Sequence, residues 1–126
     1  MKQISLGKLI GFYIETLSQC STKILKEPDE LVECLILEEF IIGATSFLHH
    51  TALDKLFENG IIDEIIVEKS KELRTLILAI DGTDLWNIES IRNSDEWRKI
   101  ITLSDEIKEL ISLRWTYEEL QNLYNL

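Results

Sequence analysis

Residues 31–48, LVECLILEEFIIGATSFL, decide how the rest of the chain is read. A helix drawn through them carries apolar side chains on almost every side: Val32, Cys34, Leu35, Ile36, Leu37, Phe40, Ile41, Ile42, Ala44 and Phe47. Such a helix belongs in the middle of a domain. Glu27-Pro28-Asp29-Glu30 just before it is a helix start, because proline fits a first turn and acids there complement the helix dipole. Glu38 and Glu39 interrupt the apolar run. Adjacent residues face different directions on a helix, so one is expected exposed and the other partly buried and paired with a lysine such as Lys8 or Lys23.

Toward the amino terminus, Ser5 is a cap for a first helix whose Leu6, Leu9, Ile10, Tyr13, Ile14 and Leu17 recur at three- and four-residue steps. Beyond Leu48, Thr51 is read as the cap of a short helix holding Leu53, Leu56 and Phe57, which Asn59-Gly60 ends. From Ile61 on, Ile62, Ile65, Ile66, Leu73, Leu76, Ile77 and Ile80 share one arc of a helix drawn at about 100° per residue. Glu64, Glu68, Lys71, Glu72 and Thr75 fall on the other side. Asp81-Gly82-Thr83-Asp84 is a turn leading into Leu85-Trp86-Asn87-Ile88, the longest irregular stretch. Ser94 and Ser104, each followed by Asp-Glu, predict two further helix starts, and Thr116 with Glu119 has capping-box spacing for the last. The expectation is all-α: a single compact domain, residues 1–126, of six or seven short helices around the central apolar one.

The chain has 126 residues, 23 acidic and 13 basic, for a net charge of -10. That length buries roughly two thirds of the surface of the unfolded chain without metal or disulfide staples. The charge is uneven: the stretch 29–66 carries a net -8 and 81–126 a net -5. Binding to nucleic acid or to an anionic membrane draws on Lys and Arg, so neither is expected, and a basic protein partner is. Cys20 and Cys34 match no metal spacing and read as small buried hydrophobes. Lys8 and Glu15 interrupt the apolar stretch Ile4 to Leu17 too often for a signal-peptide core, and no run of 18 apolar residues is present to span a bilayer. The expected compartment is the cytoplasm.

Catalytic signatures are absent: no Gly-rich phosphate loop, HExxH, GxSxG or Cys-His pairing with a signature appears. His49-His50 point about 100° apart and cannot readily share an ion, so they are read as a helix C-terminal turn facing free carbonyls. No enzyme activity, cofactor or metal is expected. Of the three tryptophans, each singly reads as core or rim packing. Trp86 is also the best candidate anchor for a partner, since Trp is enriched at binding hot spots, and Asp81, Asp84 and Glu89 surround it. With Asp95 and Glu96 these residues form the first candidate partner surface. Glu30, Glu33, Glu64 and Glu68 form the second, ranked lower because it offers no evident exposed aromatic.

The pieces Asp81-Gly82-Thr83-Asp84-Leu85 and Glu96-Trp97-Arg98 resemble the Asp-Gly-Ser/Thr-Asp-Leu turn and later Glu-Trp-Arg of colicin DNase immunity proteins. More broadly, a compact, acidic, helical chain without a catalytic signature is similar in class to the immunity proteins of contact-dependent growth inhibition and colicin systems. In the colicin family the turn leads into a paired tyrosine and a proline that contact the toxin; here Trp86-Asn87-Ile88 follow. The resemblance covers eight residues, and Asp81, Asp84 and Leu85 are the turn positions that match. It implies an immunity protein that blocks a cognate toxin, a basic RNase or DNase, by steered association with its active site. The competing expectations are a phage or plasmid counter-defence protein that mimics nucleic-acid charge, and a small helical enzyme or complex subunit.

Overall fold

Five residues spaced four apart, Val32, Ile36, Phe40, Ala44 and Leu48, are all fully buried in the computed structural model, which describes residues 4–126. Four residues advance an α-helix by about 400°, so a stripe of that period drifts by roughly 40° per step around the axis. Here the winding cancels the drift. Helix α2 (Asp29–Val32) runs into a π-helical segment (Glu33–Phe40) and then into α3 (Ile41–Phe47). A π-helix closes i→i+5 bonds and turns by roughly 80° per residue, so each of its four-residue steps drifts the other way. The stripe therefore stays on one side of the rod, facing the core.

The rod is not buried all round, as the sequence had suggested. Leu31 is 42% exposed and Ile42 is 66% exposed. Glu38 and Glu39 are both exposed, and neither pairs with Lys8 or Lys23; Glu39 accepts a 3.4 Å bond from Gln19 Nε2. The carboxylates lie in water and need no partner there.

Around the rod stand α1 (Leu6–Ser18), a 3₁₀ turn (Thr22–Lys26), α4 (His50–Glu58), α5 (Glu64–Ile80), α6 (Ile88–Asn93), α7 (Asp95–Arg114) and α8 (Tyr117–Leu123). With the rod counted as one helix these make seven, and no strand occurs among the described residues. The fold is all-α around one continuous apolar core. Helices α5 and α7 run antiparallel, joined by Lys69–Glu106 at 3.1 Å near the middle and by Arg114–Asp63 at 4.0 Å at one end. Helix α1 packs against α7, and its Tyr13 hydroxyl meets Ser70 Oγ of α5 at 2.7 Å inside the core. Gly43 lets α3 lie directly on α1, where Thr16 fills the space that a Cβ would need.

Local signals set most of the ends. Ser5 accepts from Lys8 N, Thr116 and Glu119 close a reciprocal capping box, and Gly60 and Gly82 take the positive φ that ends α4 and turns the chain after α5. Elsewhere tertiary contacts override the local reading. Ser104 starts no helix: α7 continues through it, because Ser104 lies on the buried face and donates to Leu17 O at 3.0 Å, adding a second bond to a carbonyl at the end of α1 that also accepts from Cys20 N at 3.3 Å. Helix α5 starts at Glu64, not Ile61, with Asp63 capping Ile66 N at 2.9 Å. Ile61 and Ile62 are buried in the preceding turn, while Ile65, expected on the apolar arc, is 60% exposed. The stretch after Trp86 is not irregular for long, since Asn87 caps α6 by accepting from Ser90 N.

Candidate partner-binding site

The turn after α5 is held in one shape by its own polar groups. Thr83 Oγ1 donates to Ile80 O at 2.7 Å and accepts from Leu85 N at 3.2 Å, and Asn87 Nδ2 donates to Asp84 O at 2.7 Å. The start of α7 clamps it from below: fully buried Trp97 donates its indole N–H to Leu85 O at 2.6 Å. Asp81, Asp84, Glu89, Asp95 and Glu96 are all exposed on this corner. Asp95 is tied to Arg98 at 3.1 Å; the other four meet no cation among the described residues.

Trp86 has an inward task that the sequence did not reveal. Its ring is half-buried, 5.6 Å from the Trp97 ring and tilted by 42° to it, and it packs on the core. Part of its surface is therefore spent on the fold. Trp115 is likewise held, donating to Ile61 O at 2.8 Å, with Arg114 reaching Gly60 O at 3.0 Å beside it.

The second acidic surface divides in two. Glu64 and Glu68 share a groove between α4 and α5 with Asp54, Lys71, Val67 and Phe57, about 390 Å³ in volume. Glu30 and Glu33, near the start of the rod, do not line it. The expectation that this surface lacks an exposed aromatic is corrected by Phe57, which is 44% exposed. The signal was present in the phase of α4: Leu53 and Leu56 take the buried positions, and Phe57 falls about 100° beyond Leu56.

His49 does not close the helix before it. Its Nδ1 accepts from Thr51 N at 3.3 Å, making it the N-cap of α4 in place of Thr51. No group of three potential metal ligands occurs among the described residues. The resolved pKa shifts belong to groups in or near the core, not to either acidic surface. Burial pushes the Tyr13 phenol and the Cys20 thiol well above their usual range, with Ser70 opposing the first and Asp105 adding to the second. Cys34 is raised by burial and by Glu38 and Glu39. Both cysteines are free thiols.

Only four of the 23 acidic side chains meet a cation from among the described residues. Arg92 is the most committed cation, gripping Asp29 at 2.9 Å, Leu25 O at 2.7 Å and Glu27 O at 3.0 Å, so it holds α6 onto the entrance of the rod. The molecule is thus an acidic helical domain that offers carboxylates on rigid backbone. No helix is long and apolar enough to cross a membrane among the described residues. No family model matches the chain, and neither a curated protein nor a solved structure is significantly similar to it.

Proposed function

We propose that this protein is an immunity-type inhibitor, a non-enzymatic domain that captures a basic protein, most simply a nuclease toxin, and blocks its active site. The observation that carries this reading is the corner 81–96: Asp81, Asp84, Glu89 and Glu96 are exposed and meet no cation among the described residues, beside a turn that its own hydrogen bonds hold in place. A nuclease must attract a polyanion, so its cleft is basic, and an acidic inhibitor uses the same field for fast association. Preformed geometry keeps the ordering cost of binding low. The cytoplasm, where such a toxin acts, is the compartment that the proposal requires.

The test is to sequence the genes that flank this chain's own, to co-express the chain with any secreted protein's toxic C-terminal module found there, and to follow stopped-flow binding of the purified pair. Protection of growth and a stoichiometric complex are expected, with association that slows steeply as salt is added. Asp81→Asn with Asp84→Asn should slow association and flatten its salt dependence. Trp86→Ala should speed dissociation by about 2 kcal/mol, scored only with its melting temperature in hand, because the ring also packs on Trp97. If Asp81 and Asp84 variants bind as wild type while Glu64→Gln with Glu68→Gln weakens binding, the α4–α5 groove is the contact surface instead. Failure to protect or to form a complex with the module would remove the inhibitor reading.

A further inference from the structure

Ile42 stands 66% exposed on the outer side of the most apolar helix in the chain, where a free-standing domain would place a polar residue. It is not isolated. Across a groove between α1 and α3, Phe12 is 38% exposed and stacks on Phe47, with ring centroids 5.0 Å apart and 29° between planes. The floor is made by Thr16 and Gly43, both buried. The Thr16 hydroxyl is spent on Phe12 O at 2.8 Å, so no free donor remains there. The groove holds about 220 Å³, more than the roughly 150 Å³ that accommodates a benzene ring in an apolar cavity. Close packing at Gly43 fixes the two helices against each other and so fixes the shape of the groove.

The rim has one sign of charge. Glu15 and Glu39 line it with Gln19, both carboxylates are exposed, and neither forms an ion pair among the described residues. Lys8, one turn before Phe12, does not line it. Two carboxylates around an apolar slot favour an apolar side chain that arrives on a positively charged segment. A second copy of this chain would bring another net charge of -10 to that rim, and an anionic lipid or nucleic acid would meet the same repulsion.

We infer that the groove walled by Phe12, Ile42 and Phe47 and rimmed by Glu15 and Glu39 receives an aliphatic side chain presented by a basic segment of the protein partner. The inference rests on the reading of this chain as a binder of a basic protein and assigns the pocket that supplies affinity. Trp86 spends part of its surface on the fold, and the groove adds a second contact in which the hole lies on this chain and the anchor on its partner. Buried anchors in pockets dominate binding energy, whereas rim charges chiefly set the rate of encounter.

A synthetic amphipathic helix of Leu and Lys is the probe, with a Leu and Glu peptide of identical apolar face as its control, both followed by NMR on isotope-labelled protein. The Leu/Lys peptide should shift Phe12, Ile42 and Phe47. Ile42→Ser, which removes an exposed side chain and should leave the fold intact, should weaken binding about tenfold. Glu15→Gln with Glu39→Gln should weaken it less and flatten its salt dependence. Equal binding of the Leu/Glu peptide would overturn the charge assignment. Shifts confined to residues 81–96 or 54–71, with Ile42→Ser unchanged, would overturn the groove while leaving the acidic-binder reading in place, and absence of binding by the Leu/Lys peptide would overturn the groove as well. A dimer in sedimentation that Ile42→Ser dissolves would give the groove to a second copy and refute the inference.

Discussion

Replacing Gly43 with alanine sets two known effects against each other at one atom. The new methyl group would run into the Thr16 hydroxyl and lie 2.9 Å from Thr16 Cγ2 and 3.0 Å from its Cβ. Alanine is the better helix former by about 0.8–1.0 kcal/mol. Overpacking a filled crossing costs about 1–3 kcal/mol. Thr16 has little room to yield, because it is buried and its hydroxyl is bonded to Phe12 O. That places the steric cost in the upper part of its range, about 2–3 kcal/mol, so it wins and the net loss should be about 1–2 kcal/mol. With an unfolding entropy of about 2.1 cal/mol/K per residue over 126 residues, that is a fall in Tm of about 4–8 °C. The assay is urea unfolding followed by helical circular dichroism, run as a double-mutant cycle with Thr16→Ala. Removing the hydroxyl and methyl of Thr16 should relieve the clash, giving a coupling of at least about 0.5 kcal/mol between the two sites. A Gly43→Ala protein as stable as wild type, or losses that simply add in the double variant, would refute the account of the crossing.

The core titratable groups predict an alkaline limit to stability. Tyr13 and Cys20 stay protonated in the fold above their ordinary values of 10.0 and 9.0, because burial opposes their ionisation. Their contribution is therefore complete at neutral pH and is lost as pH rises past those values, where the unfolded chain ionises first. The urea midpoint should fall above about pH 9, and Tyr13→Phe should remove the part of the slope that begins near pH 10; a midpoint flat to pH 11 would contradict this. The same burial separates the two thiols: in the native protein iodoacetamide should modify Cys34 slowly and leave Cys20 untouched until urea unfolds the chain, as read by intact mass.

What the sequence made visible was what neighbouring residues decide among themselves. Ser5, Asn59-Gly60, Asp81-Gly82 and the Thr116–Glu119 box all act within four residues, and each ends or starts a helix as its chemistry dictates. Ser94-Asp-Glu and Ser104-Asp-Glu are locally the same signal with opposite outcomes. The first caps Trp97 N, while the second faces Leu17 O, a group 87 residues away that no local pattern contains. The candidate site divides in the same way. The acids of the 81–96 corner were legible as exposed because carboxylates seek water. The burial of Trp86 against Trp97, the exposure of Phe57 and the groove beside Ile42 depend on how helices meet. The excess of apolar residues in 31–48 was read as burial on nearly every side, yet Leu31 and Ile42 are exposed, because composition alone does not tell a buried face from one left open.

The rod's mixed winding has a consequence for how this chain tolerates change in length. Because left-over rotation in the α-helical part is undone in the π-helical part, the two ends of the rod are set at a fixed angle by residue count. One end presents Asp29 to Arg92, and the other carries Ile42 at the open groove. A single residue lost or gained in the π-helical segment would swing one end by about 80° relative to the other. Either the Arg92 clamp or the groove would then face the wrong way, even though every side chain kept its apolar or polar character. Substitutions in 33–40 are thus filtered by chemistry, but insertions and deletions there are filtered by phase. The segment behaves as a vernier that aligns two distant surfaces.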